Sequence, residues 1–144
     1  MNDVLNKDQW ITFYLDGEAY AQPIAVIREI VPYREPAPVP GAPHEVEGIV
    51  NIRGDVISVI NSRRLMHLAD YAPDEHSRIL IIESDNNLLG FTVDNVSEIV
   101  GFNREEIETS HAEHALIKGT VQLEQGLYIV TDLGEFSHEQ DDYE

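Results

Sequence analysis

The sequence predicts an all-β protein: two small five-stranded β-barrels packed side by side, with short helices between strands. Two observations lead there, and an argument about burial completes them. Apolar runs are short, rich in Val, Ile and aromatic residues, and bounded by Gly, Asp and Asn turn signals. The order of these runs occurs twice along the 144 residues. Each copy holds about five short strands, and a sheet of that size buries its apolar faces and removes its edges most easily by closing.

Gln9 to Leu15 reads as the first strand, with Trp10, Ile11, Phe13, Tyr14 and Leu15 of high β propensity. Asp16-Gly17 is a turn, and Glu18 to Gln22 opens a second strand to make a hairpin. Pro23 suits the start of a short helical turn over Ile24 to Ile27, and Arg28 to Tyr33 is extended. Pro32 to Pro43 holds five of the seven prolines, which predicts a stiff loop. Ile49 to Ile52 and Val56 to Ile60 form a hairpin around Gly54-Asp55. Asn61 or Ser62 can cap a short helix over Arg63 to Leu68, and Ala69 to Ser77 is a polar linker. Arg78 to Ile82 and Leu88 to Val93 form the next hairpin, followed by an extended Val96 to Phe102. Asn103 and Glu106 have capping-box spacing. His111 to Ala115 is loop-like, and Val121 to Leu123 with Leu127 to Val130 makes the last hairpin.

The two halves align on each other. At an offset of 69, Glu29-Ile30-Val31 meets Glu98-Ile99-Val100, and Asp16 meets Asp85. At an offset of 71, Gly48 meets Gly119, Val50 meets Val121, Val59 meets Val130 and Asn61 meets Asp132. The copies differ at one corner, where Arg53-Gly54 becomes Glu124-Gln125. The proline-rich loop also belongs to the first copy alone. Duplication with one elaborated copy predicts that the first copy carries the working surface.

Nine basic and 27 acidic residues give a formal charge of −18. Nucleic acid and anionic membrane are poor partners for such a chain, since both need clustered Lys and Arg. The charge is uneven: −4 over residues 1–72 and −14 over 73–144. This predicts that the first half meets other proteins. The absence of Cys excludes disulfides and thiolate chemistry. No apolar run approaches a bilayer span, and the N-terminus has no signal-peptide pattern. Nucleophile-elbow, phosphate-loop and His-Glu-x-x-His motifs are absent. His111 and His114 stand three apart without further ligands nearby and read as surface residues. No cofactor or metal is expected, and an enzyme is disfavoured. Arg53 on a rigid hairpin corner is suited to bidentate pairing with a carboxylate, and Glu29 is the candidate partner.

In these residues the chain resembles the CheW family of bacterial chemotaxis coupling proteins. The strongest match is Val39-Pro40-Gly41-Ala42-Pro43 followed by Glu47-Gly48-Ile49-Val50-Asn51-Ile52-Arg53-Gly54, with support from Ile27-Arg28-Glu29-Ile30 and Gly90-Phe91-Thr92-Val93-Asp94-Asn95-Val96. The family usually has Pro where this chain has Ser58, and Asp where it has Asn61. The resemblance implies SH3-like barrels and a non-catalytic adaptor that joins chemoreceptor tips to the regulatory domain of the histidine kinase CheA. It places Ile27, Glu29 and Gly48 at a kinase-binding surface. Asn51, Arg53 and Gly54 would serve receptor coupling, with Leu89, Phe91 and the crevice between barrels as the receptor groove. One domain is expected over 9–134, with a first barrel over about 15–77 and a second over 78–134 completed by strand 9–14. Residues 1–8 and 135–144 are expected to be flexible ends. The location implied is cytoplasmic, at membrane-bound receptor arrays. The alternatives are a coupling protein of a related surface or twitching motility pathway, and a small-ligand-binding barrel with a deep polar pocket.

Overall fold

The structure is a computed structural model that describes residues 8–109 and 115–136. Among the described residues ten strands run in chain order: β1 Asp8–Leu15, β2 Glu18–Pro23, β3 Ile27–Pro32, β4 Val46–Ile52, β5 Asp55–Ile60, β6 Arg78–Ser84, β7 Asn87–Val93, β8 Asn95–Phe102, β9 Ile117–Leu123 and β10 Gly126–Thr131. One short helix, α1 Ser62–Leu65, follows β5. Single 3-10 turns occupy Ile24–Val26, Arg104–Glu106 and Leu133–Glu135. The expected all-β class and two five-stranded units are present.

The first sheet has strand order β8-β1-β2-β10-β9 and the second β3-β6-β7-β5-β4. Matching β1 with β6, β2 with β7, and so on through β5 with β10 turns one order into the other. The duplication is therefore structural, and each copy lends its opening hairpin to the other copy's sheet. This corrects the expected boundaries. Not only 9–14 but the whole hairpin β1–β2 joins β8–β10, and β6–β7 join the sheet of β3–β5. Alternation within a strand specifies which faces are buried, but not which sheet receives the strand.

Three apolar layers explain the exchange. Trp10, Val100, Phe102, Val121, Tyr128 and Val130 form one cluster on the first sheet. Val31, Val50, Ile57, Val59, Ile79 and Ile81 form another on the second. Between the sheets, Phe13, Leu15 and Tyr20 pack with Leu80, Ile82, Leu89, Phe91 and Val93. The period of two sends Ile79 and Ile81 one way along β6 and Leu80 and Ile82 the other. Hairpins β1–β2 and β6–β7 thus bury both faces, which accounts for their nearly unbroken apolar sequences.

Leu65 and Phe136, equivalent at the offset of 71, both seal the middle layer. Phe136 is 5% exposed and meets the ring of Phe91 edge-on at 5.8 Å. Glu135 and Phe136 therefore belong to the packed domain and not to a flexible end, and Asp8 is already in β1. The expectations for residues 1–7, for the end from 137 and for His111 and His114 lie outside the described residues.

Each sheet's outer strands are linked by a bridge from the segment that follows its edge strand. Ala37 pairs with Ile49 (2.8 and 2.9 Å), and Glu108 pairs with Thr120 (2.8 and 2.9 Å). Both bridges pass over a glycine. A Cβ on Gly48 would stand 2.3 Å from the Ala37 oxygen, and one on Gly119 2.1 Å from the Glu108 oxygen. Gly48→Ala is expected to cost about 1–3 kcal/mol, because the obstacle is backbone and cannot swing aside. A urea unfolding midpoint equal to the parent's would contradict this.

Asp132 follows β10 beside the turn Leu133–Glu135. Burial raises its carboxyl above the usual range and Glu135 adds to this, while Lys118, the Gly134 amide and Arg104 oppose it. The folded state then holds a proton at pH values where the unfolded chain has released it. Stability from this group is present below the ordinary carboxylate pKa and is lost as pH rises through the raised value. Asp132→Asn is expected to raise the melting temperature at pH 7 by about 1–3 °C, with the gain vanishing in acid. Equal midpoints at pH 7 would show that the carboxyl ionises without penalty.

Candidate docking site

The corner between β4 and β5 is a two-residue turn, Arg53-Gly54, with φ of 52° and 90°. Asp55 already belongs to β5, so the turn lies one residue earlier than the sequence suggested. Two successive positive φ values match the right-handed twist of a hairpin. Asn51 closes the turn: its Oδ1 accepts from the Gly54 amide at 3.1 Å. Asn51 and Gly54 are thus the parts that shape the corner, and Arg53 is the part that projects.

The Arg53 Nη1 donates to Glu29 Oε2 on β3. Hydrogen bonding to Glu29 holds the guanidinium above its ordinary pKa, and the carboxylate charge adds to it. Strands β3 and β4 are the two outer strands of their sheet. The pair therefore spans the gap between them at one end, while the Ala37–Ile49 bridge spans it elsewhere. The Arg53 side chain is 72% exposed and that of Glu29 28%. An exposed pair of this kind adds little stability; it fixes where a cation is displayed. Beneath it a shallow pit of about 170 Å³ opens onto Ile52, Ile57, Ile81 and Leu88, with Arg28 and Asp55 on the rim. An apolar floor with a charged rim is the anatomy of a protein-docking patch.

The equivalent corner of the other sheet carries Glu98 and Glu124, which cannot pair with each other. Its turn residues, Glu124 and Gln125, show no positive φ. The loss of Arg-Gly thus changes both the charge and the backbone there.

The other candidates fall elsewhere. Ile27 starts β3, partly buried against the middle layer. Gly48 is buried under Ala37, so its role is to allow that close approach. Leu89 and Phe91 are 7% and 0% exposed, inside the middle layer. This corrects their expected place in an open groove: both side chains point at the opposite sheet, because β7 is covered on that face by β1 and β2. The partly buried side chains packed against that layer include Val26, Ile27 and Val96.

A second concavity of about 340 Å³ lies outside the second sheet, between α1 and residues 70–77. Its polar groups are engaged with one another. Tyr33 donates to Glu47, and Asn61 Nδ2 donates to the same carboxylate at 3.1 Å. Burial, then Glu47, pushes the Tyr33 phenol well above its ordinary pKa. Asn61 also caps α1 by accepting from the Arg64 amide at 3.0 Å. An Asp there could not donate to Glu47, which explains the amide at this position. Arg63 forks onto Asp94 at 3.0 and 2.5 Å, and Arg64 reaches Asp70 at 3.2 Å. Sequence reasoning missed the Arg63–Asp94 pair: the residues are 31 apart, and neither local sequence marks a partner.

Two interlocked sheets, an enclosed apolar layer and a displayed charged corner define a docking scaffold. Residues 9–140 match the family model described as the CheW-like domain. This chain belongs to the CheW-like family. It is 28% identical over 108 residues to the chemotaxis protein CheW of Bacillus subtilis, covering 75% of this chain and 69% of that one. It is 30% identical over 105 residues to that of Treponema pallidum (70% and 62%), and 24% identical over 140 residues to that of Thermotoga maritima (95% and 92%). The alignment with the Treponema protein thus spans less than two thirds of that relative. The crystal structure of the scaffolding protein TtCheW from Thermoanaerobacter tengcongensis superposes with a TM-score of 0.80 at 26% identity, covering 90% of this chain and 86% of that one. These relatives make this chain a chemotaxis coupling scaffold. No helix among the described residues is long and apolar enough to cross a membrane.

Proposed function

We propose that this chain couples the cytoplasmic tips of chemoreceptors to the regulatory domain of a CheA-type histidine kinase, without catalysis or cofactor of its own. The observation that carries the reading is the Glu29–Arg53 pair, built on the mouth of one sheet and absent from its duplicate. The kinase surface comprises Ile27 and Glu29, with Gly48 beneath holding the proline-rich strap in place. The receptor side comprises the corner Asn51, Arg53 and Gly54 and the crevice edge at Val26, Ile27 and Val96. Leu89 and Phe91 support that edge from within. Such an adaptor works by fixing two partners in one geometry and so shifting the kinase between its on and off populations. The strongly negative charge argues against nucleic acid and against anionic lipid as ligands. Residence at membrane-bound arrays then comes through the receptors, in the cytoplasm.

A pull-down of the purified chain with a CheA regulatory domain, with and without receptor tips, tests the reading. Capture of both together is expected. Failure to retain the kinase domain at micromolar concentrations would refute it.

A further inference from the structure

The described chain passes from one sheet to the other only twice: through Ile24–Val26, between β2 and β3, and through the single residue Asp94, between β7 and β8. The first passage has no side-chain cap and no buried residue. The second is tied from three sides. The Asp94 amide donates to the Tyr14 carbonyl at 3.0 Å, and Asp94 Oδ2 accepts from the Asp16 amide at 2.8 Å, in the β1–β2 turn of the first sheet. From α1, beside the second sheet, Arg63 grips the same carboxylate with Nε and Nη2. The Arg63 side chain is only 11% exposed. Its Nη1 donates to the Ala69 carbonyl at 3.0 Å, and its guanidinium lies 4.6 Å from the centre of the Tyr71 ring.

The apolar layer between the sheets resists their separation. Its close packing limits how far they can shear, but the hydrophobic term itself is non-directional and leaves the fine setting of their angle to directional contacts. A planar fork on a carboxylate is among the most directional available. We propose that the Arg63–Asp94 fork is the lock that fixes the angle between the two sheets, and with it the mutual placement of the surfaces they present. Arg63 and Asp94 are positioning residues here and need touch neither partner. The consequence for signalling rests on the coupling role proposed above.

The chain has no Cys, so a clean distance probe is available. Val56→Cys and Leu127→Cys place one spin label on each sheet, at positions 65% and 57% exposed. Double electron–electron resonance on the parent is expected to give one narrow distance. Arg63→Met, which keeps the aliphatic stem, is expected to widen that distribution by about twofold or more. Arg63→Lys, a point charge without the fork, recovers only part of the width. Should Arg63→Met fail to fold, Asp94→Asn retains an acceptor for the Asp16 amide and serves instead. Without the spin labels, the same variants are expected to hold the kinase domain within about threefold of the parent while receptor-dependent kinase control falls about tenfold. Unchanged width in folded variants overturns the lock. Widened distances with undiminished kinase control overturn its link to signalling. A parent that never couples kinase to receptor would refute the adaptor reading, and the distance measurement would still decide the lock.

Discussion

Phe91→Ala is expected to lower the unfolding free energy by about 3–5 kcal/mol. Phe91 is fully buried between the sheets, where both faces of its strand are covered. Its ring supports Phe136, which arrives from the far end of the chain. Truncation leaves a cavity whose walls belong to two sheets and cannot both relax inward. For a protein of this size the melting temperature should fall by about 10–20 °C, read by scanning calorimetry. Loss of receptor coupling in this variant would then follow from unfolding, not from a missing contact. A midpoint close to the parent's would show that Phe91 faces an accessible groove, and the three-layer packing would have to be abandoned.

Arg53→Glu is expected to do the opposite, sparing the fold and removing the function. Arg53 is mostly exposed and sits at φ 52°, a conformation no less strained for Arg than for Glu. The substitution sets a carboxylate against Glu29 and reverses the charge displayed at the corner, and a like-charge contact of this kind costs several kcal/mol at an interface. Receptor-dependent kinase control should drop by about tenfold or more, each factor of ten being about 1.4 kcal/mol. The melting temperature should move by no more than about 3 °C. Pairing the change with Glu29→Arg restores the ion pair with reversed sense. If the pair alone matters, control returns; if the outward cation matters, it does not. Full kinase control by Arg53→Glu alone would end the assignment of this corner.

How far the sequence could be read follows from the range of the interactions involved. Turn chemistry is local, so Asp16-Gly17 is visible in the sequence, and it takes positive φ, as does the equivalent Asp85-Asn86. The Arg53 corner falls one residue before the expected turn, because both Gly54 and Asp55 are turn formers and Asp55 joins the strand. The duplication was legible, and with it the Glu29–Arg53 pairing, because comparing the copies isolates what one of them adds. The destination of each hairpin was not legible. Leu88-Leu89-Gly90-Phe91 is apolar on both faces, so alternation could not say that Leu88 meets one core while Leu89 and Phe91 meet another. The groove role expected of Leu89 and Phe91 rests on the family resemblance alone, and their burial in the middle layer overrides it. Arg63 and Asp94 were hidden for the same reason of range: their partnership exists only once the sheets have interlocked.

The reciprocal loan of hairpins also has a consequence for synthesis. The hairpin Asp8 to Pro23 pairs with β8 and β10, and β10 ends only at Thr131, so the hairpin is synthesised long before its partners. Sheet β3-β6-β7-β5-β4 can assemble once Val93 has emerged, while β1 and β2 must wait for the remainder. At about 5–20 residues per second, a nascent chain carries an aromatic ribbon, Trp10 to Tyr20, without its final partners for several seconds. Its aromatic side chains are thus made well before the strands that shelter them.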